Sequence, residues 1–291
     1  MNYTVAELTV VAAAREIGVD DVAFYGVGVP IIAGLLAKFT HAPDHTILFE
    51  WGQVDPKPRR LPFCVSDSPC NEGAVVLGTQ RDNMLDAQNG HNDVAVLGCG
   101  QIDKYGNINT TFFGGDYNNQ SIRLAGSGGA NDLASNIRKT VIMTRGIKRT
   151  FVDKVDYLTS PGYLNGPGSR EKYGFPGGPV AVITPMGVFR FDRDTREMYL
   201  DTIHEGVDLE TIKAEVPWDL KIQDPLRVTE PPTGQQLDVI RKLDPQSVWV
   251  GGGRDAIMQD GYMGSFYNYL EIMKNSYEPL QEMYRRNELG L

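Results

Sequence analysis

Positive charge is scarce in this sequence of 291 residues. Its 28 Lys and Arg residues are outnumbered by 37 Asp and Glu residues, which gives a formal net charge of -9 at pH 7. Proteins that bind nucleic acid need clustered basic side chains to neutralise phosphates, and the sequence contains no basic cluster. The charge balance therefore argues against a nucleic-acid partner.

Long apolar runs are absent as well. No stretch approaches the roughly 20 apolar residues that a membrane-spanning helix requires. The first residues lack the cationic and apolar regions of a signal peptide, and they indicate the start of a helix instead. We therefore expect a cytoplasmic protein with no membrane partner.

Cysteine is rare, since the chain has only Cys64, Cys70 and Cys99. An odd, small number of cysteines in a long chain fits a reducing compartment. Cys64 and Cys70 are too far apart for a CxxC pair, and no His accompanies them at ligand spacing. We therefore predict no metal site.

The most informative stretch that is present is a buried-strand pattern ending in a carboxylate. Ile47, Leu48 and Phe49 are consecutive apolar residues, as in a strand that is covered on both faces. Glu50 follows directly, and Gly52 allows the chain to turn out of the strand. Ligands of open α/β sheets bind at the carboxyl ends of strands. Glu50 is therefore predicted to be a nucleophile, a general base or a paired structural charge.

A second glycine turn precedes this strand. Gly26 and Gly28 lie between a predicted strand that starts after Asp21 and a predicted helix that runs to Lys38. Such a turn presents backbone N–H groups to an anion or an oxyanion. A tight turn without any ligand explains the same glycines equally well.

The fold class follows from the order of these patterns. Strands and helices in the first half predict an α/β fold with a mainly parallel, open, Rossmann-like sheet and flanking helices. From Pro179 onward, three short runs alternate with period two, which predicts an antiparallel meander near residues 179–200.

The end of the chain follows a different pattern. Beyond the glycines at 251–253, which suggest a linker, residues 262–286 are predicted to form one long helix. Its apolar residues recur at spacings of three and four, which is typical of core or of a subunit contact. We therefore predict a domain over residues 1–250 and a C-terminal helical extension over residues 251–291 that forms a subunit contact.

Five motifs occur in order along the chain: residues 26–30 (GVGVP), 47–52 (ILFEWG), 100–110 (GQIDKYGNINT), 126–131 (GSGGAN) and 160–168 (SPGYLNGPG). With these motifs the sequence resembles the β-type subunits of class I coenzyme A transferases, and especially the B-type chain of glutaconate CoA-transferase. The resemblance extends from about residue 5 to about residue 250. It implies a fold like that of the CoA-transferases.

The resemblance also implies a chemistry. The carboxylate of Glu50 would attack the thioester carbonyl of an acyl-CoA, and CoA would pass to a carboxylic acid through a glutamyl-CoA thioester. Coenzyme A would be a substrate, with no tightly bound cofactor. The implied oxyanion and CoA-binding residues are Gly126, Gly128, Gly129 and Ala130. The implied site wall consists of Gly26, Gly28, Trp51, Gly52, Gln101 and Asn107.

Turn and hairpin chemistry is the favoured interpretation for Gln101, Asp103 and Asn107, because Asn and Asp side chains hydrogen-bond their own turns. The family works with a homologous α-type subunit, and the glycine motifs occur once each here. We therefore expect a hetero-oligomer that is inactive without that partner. The expected substrates are an acyl-CoA and a glutaconate-like dicarboxylate or a 3-oxo acid.

One departure from the family keeps other functions open. Trp51 stands where the family commonly has a small or polar residue after the catalytic Glu. Relatives that cleave rings of CoA thioesters in steroid breakdown, or that decarboxylate glutaconyl-type CoA esters, typically lack that Glu. Glu50 therefore favours transfer, whereas Trp51 leaves the hydrolase and decarboxylase hypotheses open. A non-catalytic regulatory subunit is the alternative of another class.

Overall fold

The computed structural model describes residues 2–26, 28–251 and 261–288. The described strands are β1 (Val22–Tyr25), β2 (Thr46–Phe49), β3 (Gln53–Val54), β4 (Val76–Leu77), β5 (Val94–Gly98), β6 (Gln101–Ile102), β7 (Ile108–Asn109), β8 (Phe112–Gly115), β9 (Gln120–Arg123), β10 (Lys139–Met143), β11 (Gly178–Ile183), β12 (Gly187–Phe191), β13 (Met198–Ile203) and β14 (Lys221–Val228). The described helices are α1 (Val5–Ala14), α2 (Val29–Lys38), α3 (Gln80–Gln88), α4 (Ala130–Asn136), α5 (Leu209–Glu215), α6 (Gly234–Leu243), α7 (Gly261–Met273) and α8 (Tyr277–Glu288).

The chain forms two compact units. The first unit combines Met1–Asn83 with Pro231–Leu291, and the second unit is Met84–Glu230. Both ends of the chain therefore belong to one unit, with the second unit inserted between them. The predicted boundary between residues 250 and 251 stays a prediction.

The first unit is built on the predicted glycine-turn and buried-strand motifs. Strands β1 and β2 pair in parallel, with Val22 opposite Thr46, and β3 and β4 continue this part of the sheet in antiparallel pairs. Helix α1 begins at a capping box in which Thr4 Oγ1 accepts a hydrogen bond from the Glu7 N–H, and Glu7 Oε2 accepts one from the Thr4 N–H. This arrangement satisfies two donors at the helix start that lack intrahelical partners.

The second unit contains the predicted meander. Strand β10 pairs in parallel with both β5 and β11, whereas β11, β12 and β13 pair in antiparallel order and β14 returns parallel to β13. Phe151 and Phe189 are buried in the core of this unit, and the Trp218 ring stacks on Phe151 at 5.4 Å. Strands β6 with β7 and β8 with β9 form two small antiparallel sheets outside the main one. The α/β prediction and the meander are confirmed.

The prediction of one long C-terminal helix is wrong. Helices α7 and α8 are separated by a short 3-10 helix at Lys274–Ser276. Pro279 explains this break, because its ring has no N–H and clashes with the carbonyl four residues earlier, at Asn275. Four of the predicted stripe residues are buried within the chain itself: Tyr269, Met273, Leu280 and Tyr284. A subunit contact through this segment stays a prediction.

Among the described helices, none combines the length and the apolar composition that a membrane crossing requires. Gly252 and Gly253 of the predicted linker lie outside the described residues. The three cysteines are free thiols.

Candidate active site

Glu50 lies where the sequence predicted it, directly after the carboxyl end of β2. Phe24 is the register partner of Leu48 in the parallel pair of β1 and β2. The carboxyl ends of these two parallel strands therefore lie at the same edge of the sheet, where Gly26 follows β1 and Glu50 follows β2. The two first motifs therefore meet at one sheet edge, the edge at which α/β folds bind ligands.

A tight turn carries Glu50 away from the strand. The Gly52 N–H donates to the Phe49 carbonyl at 3.3 Å, and Gly52 adopts a φ of +96°. A Cβ atom at Gly52 would lie 2.4 Å from both the Gly78 carbonyl carbon and the Thr79 nitrogen. Only glycine therefore permits this backbone conformation together with the close approach of residues 78–79.

The Glu50 side chain is half-buried rather than sealed in the core. Its Oε1 accepts a hydrogen bond from the Gln80 side-chain amide at 3.2 Å. Trp51, the next residue, is 49% exposed. A half-buried carboxylate at a sheet edge is accessible to a substrate, which a carboxylate locked in a core would not be.

A buried polar network supports the start of β2. The His45 ring hydrogen-bonds the Ala42 carbonyl through Nδ1 at 2.7 Å and the Tyr25 hydroxyl through Nε2 at 3.1 Å. Burial lowers the pKa of His45 to about 4, so the ring is neutral at pH 7. The buried Lys38 ammonium donates to the His45 carbonyl and to Asp55. His45 is therefore structural, as expected from its place at the opposite end of the strand.

The strand-to-helix turn at Gly28 packs against the C-terminal part of the first unit. Gly28 is the N-cap residue of α2, and a Cβ there would lie 3.2 Å from the Trp249 ring. Asp244 fixes that tryptophan, because its carboxylate accepts hydrogen bonds from the backbone N–H groups of Val248, Trp249 and Val250 at 2.8 to 2.9 Å. Packing against Trp249 accounts for Gly28 without a ligand, and its predicted site-wall role stays a prediction.

The polar side chains of the β6–β7 hairpin hydrogen-bond both within the hairpin and to the segment at residues 156–164. Asn107 Nδ2 donates to Asp103 and to the Leu164 carbonyl, and Asn107 Oδ1 accepts from the N–H groups of Gly162 and Leu164, all within 3.1 Å. Gln101 accepts from Asn109 and from the Asp156 N–H, and it donates to the Asp156 carboxylate. Turn chemistry within the hairpin therefore accounts for Asp103. Gln101 and Asn107 also connect the hairpin to residues 156–164, and their predicted site-wall role stays a prediction.

The predicted oxyanion donors differ in what their backbone amides do. The Gly126 N–H donates to the Thr110 carbonyl at 2.8 Å, and the Ala130 N–H donates to the Ser127 carbonyl at 2.9 Å. Both amides are therefore engaged within the chain and do not point to a substrate. Gly128 is exposed with a φ of +49°, and Gly129 is buried. The oxyanion and CoA-binding role implied for this motif stays a prediction.

The second unit also contains an open cleft of about 890 Å³. Asn107 and Asn131 line it, together with Tyr105, Lys172 and Tyr173. Asn131 Nδ2 donates to the Thr159 carbonyl at 2.7 Å. Three of the five motifs, at residues 100–110, 126–131 and 160–168, thus contribute residues to one concave surface.

The predicted residues therefore divide between the two units. The first unit holds Gly26, Gly28, Glu50, Trp51 and Gly52, and the second unit holds Gln101, Asn107, Gly126, Gly128, Gly129 and Ala130.

Two residues beside the Glu50 turn are not predicted by the sequence. The first is Gln80, which contacts Glu50 directly. The second is Asn83, whose amide donates to the Phe49 carbonyl. No local pattern marks these two residues, because they come from a segment about 30 positions beyond the strand.

Comparison with known proteins finds relatives of this chain in one enzyme family. A model of the coenzyme A transferase family matches residues 7–215. The B-type chain of 3-oxoadipate CoA-transferase from Pseudomonas knackmussii is 35% identical over 252 residues, which cover 86% of this chain and 96% of that protein. The B-type chain of glutaconate CoA-transferase from Acidaminococcus fermentans is 35% identical over 259 residues, with the same coverage of 86% and 96%.

Solved structures agree with the sequence relatives. The crystal structure of glutaconate coenzyme A-transferase from Acidaminococcus fermentans matches with a TM-score of 0.80 and 34% identity, covering 86% of this chain and 98% of that one. The crystal structure of the decarboxylase AibA/AibB matches with a TM-score of 0.73 and 26% identity over 87% of this chain and 98% of that one.

A further relative matches by sequence over a shorter range. The cholesterol ring-cleaving hydrolase IpdB subunit of Mycobacterium tuberculosis is 27% identical over 154 residues, which are 53% of this chain and 61% of that one.

Proposed function

Because this chain belongs to the coenzyme A transferase family, we propose that it is the B-type (β-type) chain of a two-subunit CoA-transferase with Glu50 as its nucleophile. The observation that carries this proposal is the position of Glu50. It is a half-buried carboxylate at the carboxyl end of a buried parallel strand, hydrogen-bonded by the neutral Gln80 amide.

The proposed reaction proceeds through two covalent states of Glu50. One Glu50 oxygen attacks the thioester carbonyl of the acyl-CoA, the carbon–sulfur bond breaks, and CoA leaves as its thiolate. This step leaves an acyl-glutamyl anhydride. The thiolate then attacks the glutamyl carbonyl and expels the first carboxylate, which takes the attacking oxygen with it. Glu50 now holds CoA as a thioester.

The second half of the reaction reverses these steps with another acid. The acceptor carboxylate attacks the glutamyl-CoA carbonyl and expels the thiolate, which gives a new anhydride. The thiolate then attacks the acceptor's carbonyl carbon, so the new acyl-CoA leaves and the Glu50 carboxylate is restored. No redox step or net proton transfer occurs, because each attack replaces one leaving group by another.

The partner and substrates belong to the same proposal. The named relatives at 35% identity are B-type chains of CoA-transferases, so we infer a homologous α-type subunit and a hetero-oligomer that is inactive when this chain is alone. A dicarboxylate related to glutaconate or a 3-oxo acid is the inferred acid substrate. A carboxylate is a weak nucleophile in water, and the partner is inferred to exclude water around Glu50.

A decarboxylase is the second candidate function. The AibA/AibB match favours it, at 26% identity over almost the whole length, and the exposed Trp51 marks a changed surface beside the nucleophile. A decarboxylase would consume an acyl-CoA without forming a CoA adduct on Glu50. The ring-cleaving hydrolase hypothesis predicts the same absence of an adduct.

The test uses the complex of this chain with its α-type partner. Incubation with an acyl-CoA and no acceptor acid is expected to add to this chain the mass of one CoA less one water. Reduction with borohydride before proteolysis then marks Glu50 in the peptide map. Turnover of the acyl-CoA without an adduct would overturn the proposal in favour of hydrolysis or decarboxylation.

Two variants complete the design. Glu50→Ala in the complex is expected to give no adduct and no transfer. Glu210→Gln changes an exposed carboxylate that pairs with Lys213 one helical turn away, and it is expected to retain both. Full transfer by the Glu50→Ala complex would indicate the non-catalytic subunit.

A further inference from the structure

The Gln80 side chain contacts an oxygen atom that takes part in the proposed chemistry. Its Nε2 donates to Glu50 Oε1 at 3.2 Å, and the contact is partly buried. An amide is neutral, so it orients the carboxylate without the strong pairing that a guanidinium or an ammonium group would impose. Gln80 is therefore placed to act on one oxygen of Glu50.

The backbone around Gln80 is fixed to the Glu50 turn by several independent contacts. The Gly78 N–H donates to the Gly52 carbonyl at 2.8 Å, next to the close approach at Gly52. The Thr79 N–H and hydroxyl both donate to Asp82 at 2.8 Å, which closes the turn before α3. One helical turn after Gln80, the Asn83 amide donates to the Phe49 carbonyl. The first turn of α3 is thus tied to both sides of Glu50.

The proposed reaction places negative charge on Glu50 itself as well as on the substrate. When the thiolate or the acceptor carboxylate attacks the glutamyl carbon, the oxygen that remains bonded to that carbon becomes an oxyanion. A donor already directed at this oxygen stabilises it more in the tetrahedral state than in the carbonyl state. The role implied for the glycine motif at residues 126–130 concerns the oxyanion that forms on the substrate. It does not concern the second oxyanion, which forms on Glu50.

We propose that Gln80 is a catalytic residue, and that its amide stabilises the oxyanion that forms on Glu50 when the glutamyl carbonyl is attacked. The proposal rests on the proposed function, because it requires Glu50 to be the nucleophile. The oxygen that accepts from Gln80 becomes the carbonyl oxygen of the anhydride and of the glutamyl-CoA thioester. The other oxygen forms and breaks the bond to the acyl group.

The experiment compares Gln80→Met with the parent chain, both in the complex with the α-type partner. Met has nearly the length and volume of Gln but no donor. Rapid mixing with acyl-CoA, followed by intact mass measurement, gives the rate of glutamyl-CoA formation in one turnover. We expect this rate to fall about 10- to 100-fold, less than the loss of a well-aligned donor because the contact is 3.2 Å long and partly exposed. The KM for acyl-CoA should change by no more than about twofold.

A spectroscopic measurement separates catalysis from a merely structural role. Infrared difference spectra of the CoA adduct, with and without 13C-labelled glutamate, isolate the glutamyl thioester carbonyl. In the parent chain, the Gln80 hydrogen bond should lower its stretching frequency, and Gln80→Met should raise it. Gln80→Ala serves as a second variant if Gln80→Met does not fold, and thermal unfolding checks both.

Gln88→Met is the matched control, since it makes the same change on an exposed residue of the same helix. It is expected to leave the rate of adduct formation and the carbonyl frequency unchanged. An adduct that forms equally fast in Gln80→Met, with an unshifted carbonyl band, would overturn the role of Gln80 and leave Glu50 as nucleophile. Absence of any adduct in the parent complex would instead overturn the proposed function.

Discussion

The turn at Glu50 and the hairpin of β6 and β7 both derive from motifs that predicted a functional site, yet they use polar side chains in opposite ways. In the hairpin, Asn107 is 6% exposed and makes four hydrogen bonds to its own chain. At the turn, Glu50 is half-buried and accepts a hydrogen bond from the neutral Gln80 amide. A saturated side chain holds a fold together, whereas a partly exposed one can exchange its partner for a substrate.

The largest expected effect would test this contrast directly. Asn107→Ala should lower the free energy of unfolding by roughly 3–5 kcal/mol, because it leaves several buried backbone groups without partners. Glu50→Ala should lower it by less, since the Glu50 side chain is half-buried and its contact with Gln80 is partly exposed. Urea unfolding of both variants measures the difference. Equal losses in the two variants would show that Glu50 is as structural as Asn107.

Acid should destabilise the two units by similar amounts, because each unit contains one buried histidine. Burial lowers the pKa of His45 in the first unit and of His204 in the second unit from 6.5 to about 4. Both rings are neutral in the folded and unfolded chain above pH 6.5. As the pH falls from 6.5 to 4, the unfolded chain takes up protons that the folded chain does not, so stability falls. Below about pH 4 the loss is complete, at about 3 kcal/mol for each histidine.

The measurement is the free energy of unfolding in urea between about pH 7.5 and pH 4, where the carboxylates also contribute. His45→Gln and His204→Gln should each flatten the pH dependence by a similar amount. His91→Gln provides the control, since the His91 side chain is 67% exposed. An unchanged slope in either buried-histidine variant would contradict the assignment of that ring as neutral.

The sequence was sufficient for features that depend on neighbours along the chain. The helix at the start of the chain, the buried strand before Glu50 and the meander after Pro179 were all predicted, because each is a pattern within a few residues. The break before Pro279 could have been predicted from the same kind of signal, but the apolar stripe outweighed it. Long-range contacts left no such signal.

The candidate site shows where local patterns stop being informative. Gln80 reaches Glu50 only because residues 78–79 pack against Gly52. The glycine motif predicted free N–H groups, but the amides of Gly126 and Ala130 are engaged by Thr110 and Ser127. Which donors are engaged depends on how distant segments meet, and residue type alone does not determine it.

The smallest expected effect concerns the backbone at Gly52. Its close approach to residues 78–79 holds the Glu50 turn in place, as side-chain hydrogen bonds hold the hairpin in place. Gly52→Ala combines an unfavourable φ with a Cβ placed 2.4 Å from the backbone of residues 78–79. We expect a loss of roughly 2–3 kcal/mol in the free energy of unfolding. Because the segment that must shift carries Gln80, the rate of adduct formation should fall as well.

Gly90→Ala isolates the conformational part of that effect. Gly90 also has a positive φ, of +78°, but a Cβ there would meet no atom within 4 Å. Its cost should therefore be about 1 kcal/mol, from the left-handed conformation alone, with transfer activity unchanged. If Gly52→Ala costs no more than Gly90→Ala and retains activity, then the close approach of residues 78–79 does not position Gln80. The turn would then hold Glu50 through its own backbone conformation. Glu50 and Asn107 would in that case differ in the exposure of their side chains and not in how the surrounding chain supports them.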